Sequence, residues 1–231
     1  MGRARLISLP PFGWFLVVGI IATNVIYSVL MREIDFVGSV AAITGVLCVV
    51  LVANRNIWNY AFGVINVSLY AYISYKAELY GDAALNAFYY LPMQFIGFAL
   101  WHRRMEVGSS AVVESRRMTG SQHLLLLLLC VVAVSVVGYI LFKVGDPQPY
   151  KDAATTVLSV IAQYLMVKAY AEQWILWVVV NVISVVMWVL CTIRGEAYAG
   201  LMVAMWVFYL MNSVNGWVQW ARKNNTKHIL L

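Results

Sequence analysis

Apolar positions fall into eight long runs separated by short polar breaks, at about 12–31, 36–53, 57–75, 83–101, 124–142, 153–169, 174–193 and 199–220. A helix crossing a hydrocarbon core about 30 Å thick needs roughly 20 apolar residues, and each run meets or approaches that length. The runs take up nearly the whole chain and leave no room for a soluble domain. The pattern predicts an all-α integral membrane protein. The first run passes straight into another and lacks a clear small-residue cleavage site, so it reads as a retained helix rather than a signal peptide.

The polar positions inside these runs recur. Asn59-x-x-Phe62-x-x-x-Asn66 is followed 115 positions later by Trp174-x-x-Trp177-x-x-x-Asn181. Each leads to a Gly-x-x-x-Trp, first Gly97…Trp101 and then Gly216…Trp220. Such duplication implies two copies of one membrane unit, with a pathway at the interface between them. The expected division is an extra N-terminal helix in 1–34, a first three-helix repeat in 35–101 and a cytoplasmic loop with a linker helix in 102–151. A second three-helix repeat follows in 152–220, and a cytoplasmic tail in 221–231. Three spans per unit is an odd number, so the linker helix must carry the chain back. Both triplets then run the same way, as parallel pseudo-symmetric bundles in a 3+1+3 plan. The Leu-rich run at 124–129 suits a featureless, lipid-facing linker. Asn66 to Gly97 spans 31 positions and Asn181 to Gly216 spans 35, which predicts a four-residue insertion near Gly195-Glu196.

Composition adds an orientation. The chain is 63% hydrophobic and 11% charged, with a formal net charge of +6. If the N-terminus is cytoplasmic, eleven of the sixteen cations fall inside, among them Arg55, Arg103, Arg104, Arg116 and Arg117, and five outside. Lys/Arg bias sets topology, so both termini are expected in the cytoplasm, and the basic excess reads as topology rather than a nucleic-acid patch. Cys48, Cys130 and Cys191 are far apart within apolar runs and read as small packing residues, not as a disulfide or metal set. No Lys, Arg, His, Asp or Glu falls near a predicted midplane, which favours uncoupled passage over a proton- or sodium-driven pump. His102, His123 and His228 fall in cytoplasmic segments, with no zinc helix or nucleophile elbow, so an intramembrane enzyme is not expected. No midplane lysine serves a retinal receptor, and no charged ring or filter loop serves a channel.

Positions i, i+3 and i+7 share a helix face, so Trp174, Trp177 and Asn181 form one row and Asn59, Phe62 and Asn66 the corresponding one. Buried amides also glue helices together, and tryptophans also form interfacial belts. The duplication of the whole row favours a ligand-binding face. Gln94, Asn86, Thr155, Thr156, Ser159, Gln163, Asn212 and Asn215 add uncharged hydrogen-bonding groups. Trp206, Tyr209, Tyr89 and Tyr90 add aromatic faces. Amides suit ribose hydroxyls or a carboxamide, and aromatic faces suit a flat ring, above all a cationic one.

The stretch Tyr170-Ala-Glu-Gln-Trp-Ile-Leu-Trp177-Val-Val-Val-Asn181 resembles the Trp-x-x-Trp-x-x-x-Asn/Asp signature of the PnuC nicotinamide riboside transporters. Asn59-Tyr-Ala-Phe-Gly-Val-Ile-Asn66 and Asp152-Ala-Ala-Thr-Thr-Val-Leu-Ser159 are similar to the same family, over about Asp35 to Trp220. The leading helix lies outside that likeness. Where relatives often have Gln, this chain has Asn86. The resemblance implies a bacterial inner-membrane protein with the fold of a full-length SWEET, moving nicotinamide riboside by facilitated diffusion. A cytoplasmic riboside kinase would trap the product, with no cofactor and no nucleic acid involved; homo-oligomer formation is left open. Trp174, Trp177 and Asn181 would then bind substrate, with thiamine or a nucleoside as alternative cargo.

Overall fold

In the computed structural model, residues 9–32, 36–76, 80–108, 110, 112–145, 149–193 and 199–228 are described. Asp35, Asp146 to Gln148 and the expected insertion at Gly195-Glu196 lie outside the described residues, as does the side chain of Cys191. The helices follow the apolar runs: α1 Pro11–Met31, α2 Phe36–Ala53, α3 Asn59–Lys76, α4 Tyr80–Leu85, α5 Leu91–Val107, α6 Gly120–Lys143, α7 Pro149–Val167, α8 Gln173–Ile193 and α9 Ala199–His228. A single π turn, Asn86–Tyr90, joins α4 to α5 ahead of Pro92. Among the described residues there is no strand, only an isolated bridge between Arg116 and Tyr170. Segments Pro11–Leu30, Phe36–Ala53, Ala83–Val107 and Gly120–Lys143 are long and apolar enough to cross a membrane.

Helix packing brings two groups of helices into a reciprocal arrangement. α2 lies against α3, and α7 against α8; α3 meets α5, and α8 meets α9. Between the groups, α2 packs on α9 and α5 packs on α7. The first helix of each group thus meets the last helix of the other, as an approximate two-fold requires. Two hydrogen bonds repeat the relation. Trp101 Nε1 donates to the Met166 carbonyl at 3.2 Å, and Trp220 Nε1 donates to the Ala53 carbonyl at 3.0 Å. α6 packs mainly on α7, and Leu124, Leu125, Leu127, Leu128 and Leu129 are exposed along it. Its start is fixed by a capping box between Thr119 and Gln122. α1 packs on α2 and α9 through Leu16, Val17 and Ile20.

The turns after α2 and α7 have one geometry. Arg55 and Ala169 are left-handed at φ 56° and 57°. Asn56 N–H bonds the Leu51 carbonyl and Arg55 N–H that of Val52; Tyr170 and Ala169 bond Leu165 and Met166 in the same register. These are Schellman closures that use the last free carbonyls of each helix. The segment between α5 and α6 straps across both turns. Val113 N–H donates to the Arg55 carbonyl at 3.3 Å and Arg116 N–H to the Ala169 carbonyl at 2.7 Å. Val113 is fully buried in a cluster with Tyr60, Trp101, Trp174 and Trp220. Burial lowers the Arg55 pKa, and the nearby Glu114 carboxylate opposes that shift.

Candidate functional site

The polar side chains that interrupt the apolar runs converge on the seam between the two helix groups. Asn66 donates from Nδ2 to the Ala41 carbonyl at 2.8 Å. The same amide nitrogen and the Tyr209 hydroxyl both lie 2.7 Å from where a Cβ on Gly45 would sit, so only glycine lets them meet there. One turn along α9, Asn212 donates to the Val49 carbonyl at 2.9 Å. Asn66, Tyr209 and Asn212 are therefore gathered on α2. On the other side Asn181, 3% exposed, donates to Ser213 Oγ at 2.8 Å, and Ser213 passes the chain on to the Tyr209 carbonyl at 2.9 Å. Trp206 meets Tyr209 edge-on at 5.6 Å.

Two aromatic stations mark the strapped end. Trp174 sits over Gly216, where a Cβ would come within 2.6 Å of the indole, and meets Trp220 edge-on at 5.9 Å and 77°. Tyr60 sits over Gly97 and meets Trp101 edge-on at 5.2 Å and 82°. Trp177 is half-buried and packs against the clusters on both sides. Gln94 lies over Gly63, beside Cys48, and Gln163 is buried on α7.

These contacts correct the register of the repeat. Helices α3 and α8 open at Asn59 and Gln173, and both residues are fully buried. Tyr60, not Asn59, holds the station that Trp174 holds. The equivalence slips by one residue, about 100° around a helix. Asn66 accordingly reaches α2 while Asn181 reaches α9, so the two amides do not face equivalent neighbours. Asn59 spends its amide donor on the Asn56 carbonyl at 2.8 Å and serves as a local brace of the turn. Composition hid the slip because Asn at 59 and 66 happens to echo the motif spacing.

The remaining expected residues divide. Phe62 is half-buried and Thr156 is exposed on α7, apart from the buried set. Its neighbour Thr155 bonds back to the Lys151 carbonyl at 3.2 Å. Asn215 lines a separate groove of about 400 Å³ with Phe12, Leu210, Met211 and Val214, between α1 and α9. Sequence reasoning missed Gln173, whose two amide atoms are buried without a partner, and Glu172, buried to 2%. Glu172 Oε1 accepts from Met118 N–H at 3.1 Å and lies 3.2 Å from His123 Nε2. Only its tertiary partners show that it ties the strap to α8.

A family model described as nicotinamide mononucleotide transporter matches residues 35–222. The chain belongs to the nicotinamide mononucleotide transporter family. Members of known name bear this out. A nicotinamide riboside transporter PnuC of Neisseria mucosa is 42% identical over 191 residues, covering 81% of this chain and 73% of that one. The protein of the same name in Haemophilus influenzae is 31% identical over 196 residues, covering 81% and 80%. A crystal structure of the vitamin B3 transporter PnuC superimposes with a TM-score of 0.78 at 38% identity, over 93% of this chain and 92% of that one. The family match starts at residue 35, so α1 lies outside it, while the likeness to the crystal structure, at 93% of the chain, reaches into residues 1–34. Within the family core the gathered site is neutral: its named side chains are carboxamides, hydroxyls and aromatic rings.

Proposed function

We propose that this protein carries nicotinamide riboside across a bacterial inner membrane by facilitated diffusion. The observation that carries the reading is chemical: the side chains gathered on the seam around Gly45, Asn66, Asn181, Tyr209 and Asn212 are carboxamides, hydroxyls and aromatic rings. The named relatives bear the riboside in their names, whereas the family description names the mononucleotide. The mononucleotide adds a phosphate, which would require Arg or Lys at the site. Arg55 and Arg104 belong instead to the strapped end. The riboside needs no more than neutral hydrogen-bonding groups and a face for its cationic pyridinium.

On this reading α2 to α5 form the first triple-helix bundle, α6 the linker and α7 to α9 the second, a 3+1+3 membrane plan with α1 added in front. Residues 35–101 and 152–220 act as the two rocking halves, and both termini face the cytoplasm, as the distribution of cations supports. The strap marks the cytoplasmic end. Trp174, Trp177, Asn181, Asn66, Gln94, Gln163, Tyr209 and Asn212 surround the substrate, which a cytoplasmic kinase then traps. The protein catalyses no reaction itself.

Uptake of labelled nicotinamide riboside into buffer-loaded proteoliposomes tests this reading. Entry should follow the riboside gradient, stop at equal concentrations and ignore proton and sodium ionophores. Accumulation above the outside level that collapses with an ionophore would overturn the uncoupled mechanism. A competition panel of riboside, mononucleotide, thiamine and a nucleoside should rank the riboside first; thiamine or the nucleoside in first place would replace the substrate.

A further inference from the structure

The two halves of the site are not chemical copies, and the difference has a direction. At equivalent stations over glycine, the second repeat places the indole of Trp174 and the first places the phenol of Tyr60. One turn further, the second repeat holds Trp177 on α8 and small Ser213 on α9. In the first repeat the sizes are exchanged: Gly63 stands on α3 and Gln94 on α5, with the Gln94 carboxamide lying over the glycine. Where one half offers two indoles, the other offers a hydroxyl and an amide. Tyr60 is 2% exposed and Gln94 4% exposed, and neither the phenol oxygen nor Gln94 Oε1 has a hydrogen-bond partner. Buried polar atoms are rarely left so, because each forfeits its hydration. Their counterpart Ser213, in contrast, is already engaged with Asn181 and the Tyr209 carbonyl.

We propose that Tyr60 and Gln94 form the sugar-reading half of the site and fix the direction in which the ligand lies. This rests on the riboside reading given above. Gln94 Oε1 is an acceptor and takes a hydrogen bond from a ribose hydroxyl; the Tyr60 hydroxyl gives or takes a second. The flat cationic ring lies toward Trp174 and Trp177, whose π faces attract it and whose polar groups are indole N–H donors with no acceptor among them, that of Trp174 buried without a partner. Indoles on one side and polar groups on the other therefore bind a ligand with a flat end and a hydroxylated end in a single orientation.

The test uses the full chain in detergent and two probes, nicotinamide riboside and its 2′,3′-dideoxy analogue, with Tyr60→Phe and Gln94→Met. Tyr60→Phe keeps the ring on Trp101, and Gln94→Met keeps the volume over Gly63, so both variants retain the packing; a melting curve checks this. The wild type should bind the dideoxy analogue about 10- to 100-fold more weakly than the riboside. Each variant should lose about 5- to 20-fold for the riboside and less than about twofold for the analogue. A wild type that binds both probes equally overturns the assignment, as do variants that weaken both probes alike or neither. A wild type that binds neither probe overturns the riboside reading itself, and the assignment with it.

Discussion

At the scale of single residues, the site is built from groups whose surroundings decide what they do. Trp177 is the indole left half-buried between the two clusters, in a position to meet a cationic ring. Trp177→Ala should weaken riboside binding by about 1–2 kcal/mol, read by calorimetry, while Trp177→Phe keeps part of that loss back. Asn181 carries a second duty, because its amide already holds Ser213 on α9. Asn181→Ala should therefore cost about 1–3 kcal/mol in binding and also lower the melting temperature by a few degrees. Binding lost with no change in melting would mean that the Ser213 bond contributes nothing to the fold. Asn59 shows the opposite case, an amide of the right type at the right spacing that is committed to its own turn.

At the scale of elements, close helix contact depends on glycines under aromatic rings. Gly97 and Gly216 let Tyr60 and Trp174 lie directly on the neighbouring helix. A methyl at either place forces the ring away, and Gly97→Ala or Gly216→Ala should destabilise by about 1–3 kcal/mol, measured as loss of thermal stability in detergent. Adding Tyr60→Ala to Gly97→Ala should return part of that loss, since the two changes share one contact. The strap is held differently, by backbone bonds to two left-handed turns and by the buried carboxylate of Glu172. Glu172→Gln keeps the Met118 contact but weakens the one to His123, whose side chain is 47% exposed. Because the His123 ring is half in solvent although Glu172 is buried, only a small loss is expected from that contact, well under the cost of Val113→Asp, which places a charge among Tyr60, Trp101, Trp174 and Trp220.

At the scale of the whole molecule, the two groups of helices are joined at one end by a matched pair of indole hydrogen bonds. Trp220→Phe removes the indole donor to the Ala53 carbonyl and should cost about 1–3 kcal/mol, whereas after Trp101→Phe the Met166 carbonyl keeps the Ala169 N–H and the cost should be smaller. With both removed, that end should open more readily. Labelling of Cys48 by a membrane-impermeant thiol reagent from the strap side should then rise, in protein whose Cys130 and Cys191 are replaced by serine. Unchanged labelling would mean that these bonds do not hold that end shut. The π turn at Asn86–Tyr90 followed by Pro92 has no counterpart in α9, so the two helix groups differ there.

Much of this was legible in the chain because lipid imposes a simple rule: apolar runs of fixed length become helices, since no water is present to satisfy a bare backbone. The observed helices follow the predicted runs, apart from the π turn within the fourth and the extension of α9 to His228; the leucines of α6 are exposed, and Trp174 and Asn181 are buried at the seam. Register was not legible. A one-residue slip costs nothing in composition but turns a helix by about 100°, and only the packing over Gly97 and Gly216 distinguished Tyr60 from Asn59. Hydropathy likewise gave no reason to separate Thr156, which points outward, from Gln163, which is buried. The sequence by itself determined that the chain is helical and built of apolar runs of membrane-spanning length, because those properties depend on residue type and spacing. Which amides meet, which keep a buried atom unpaired, and that a strap with a buried carboxylate crosses one end depended on the tertiary structure, because hydrogen bonds and glycine seats form between residues far apart in sequence.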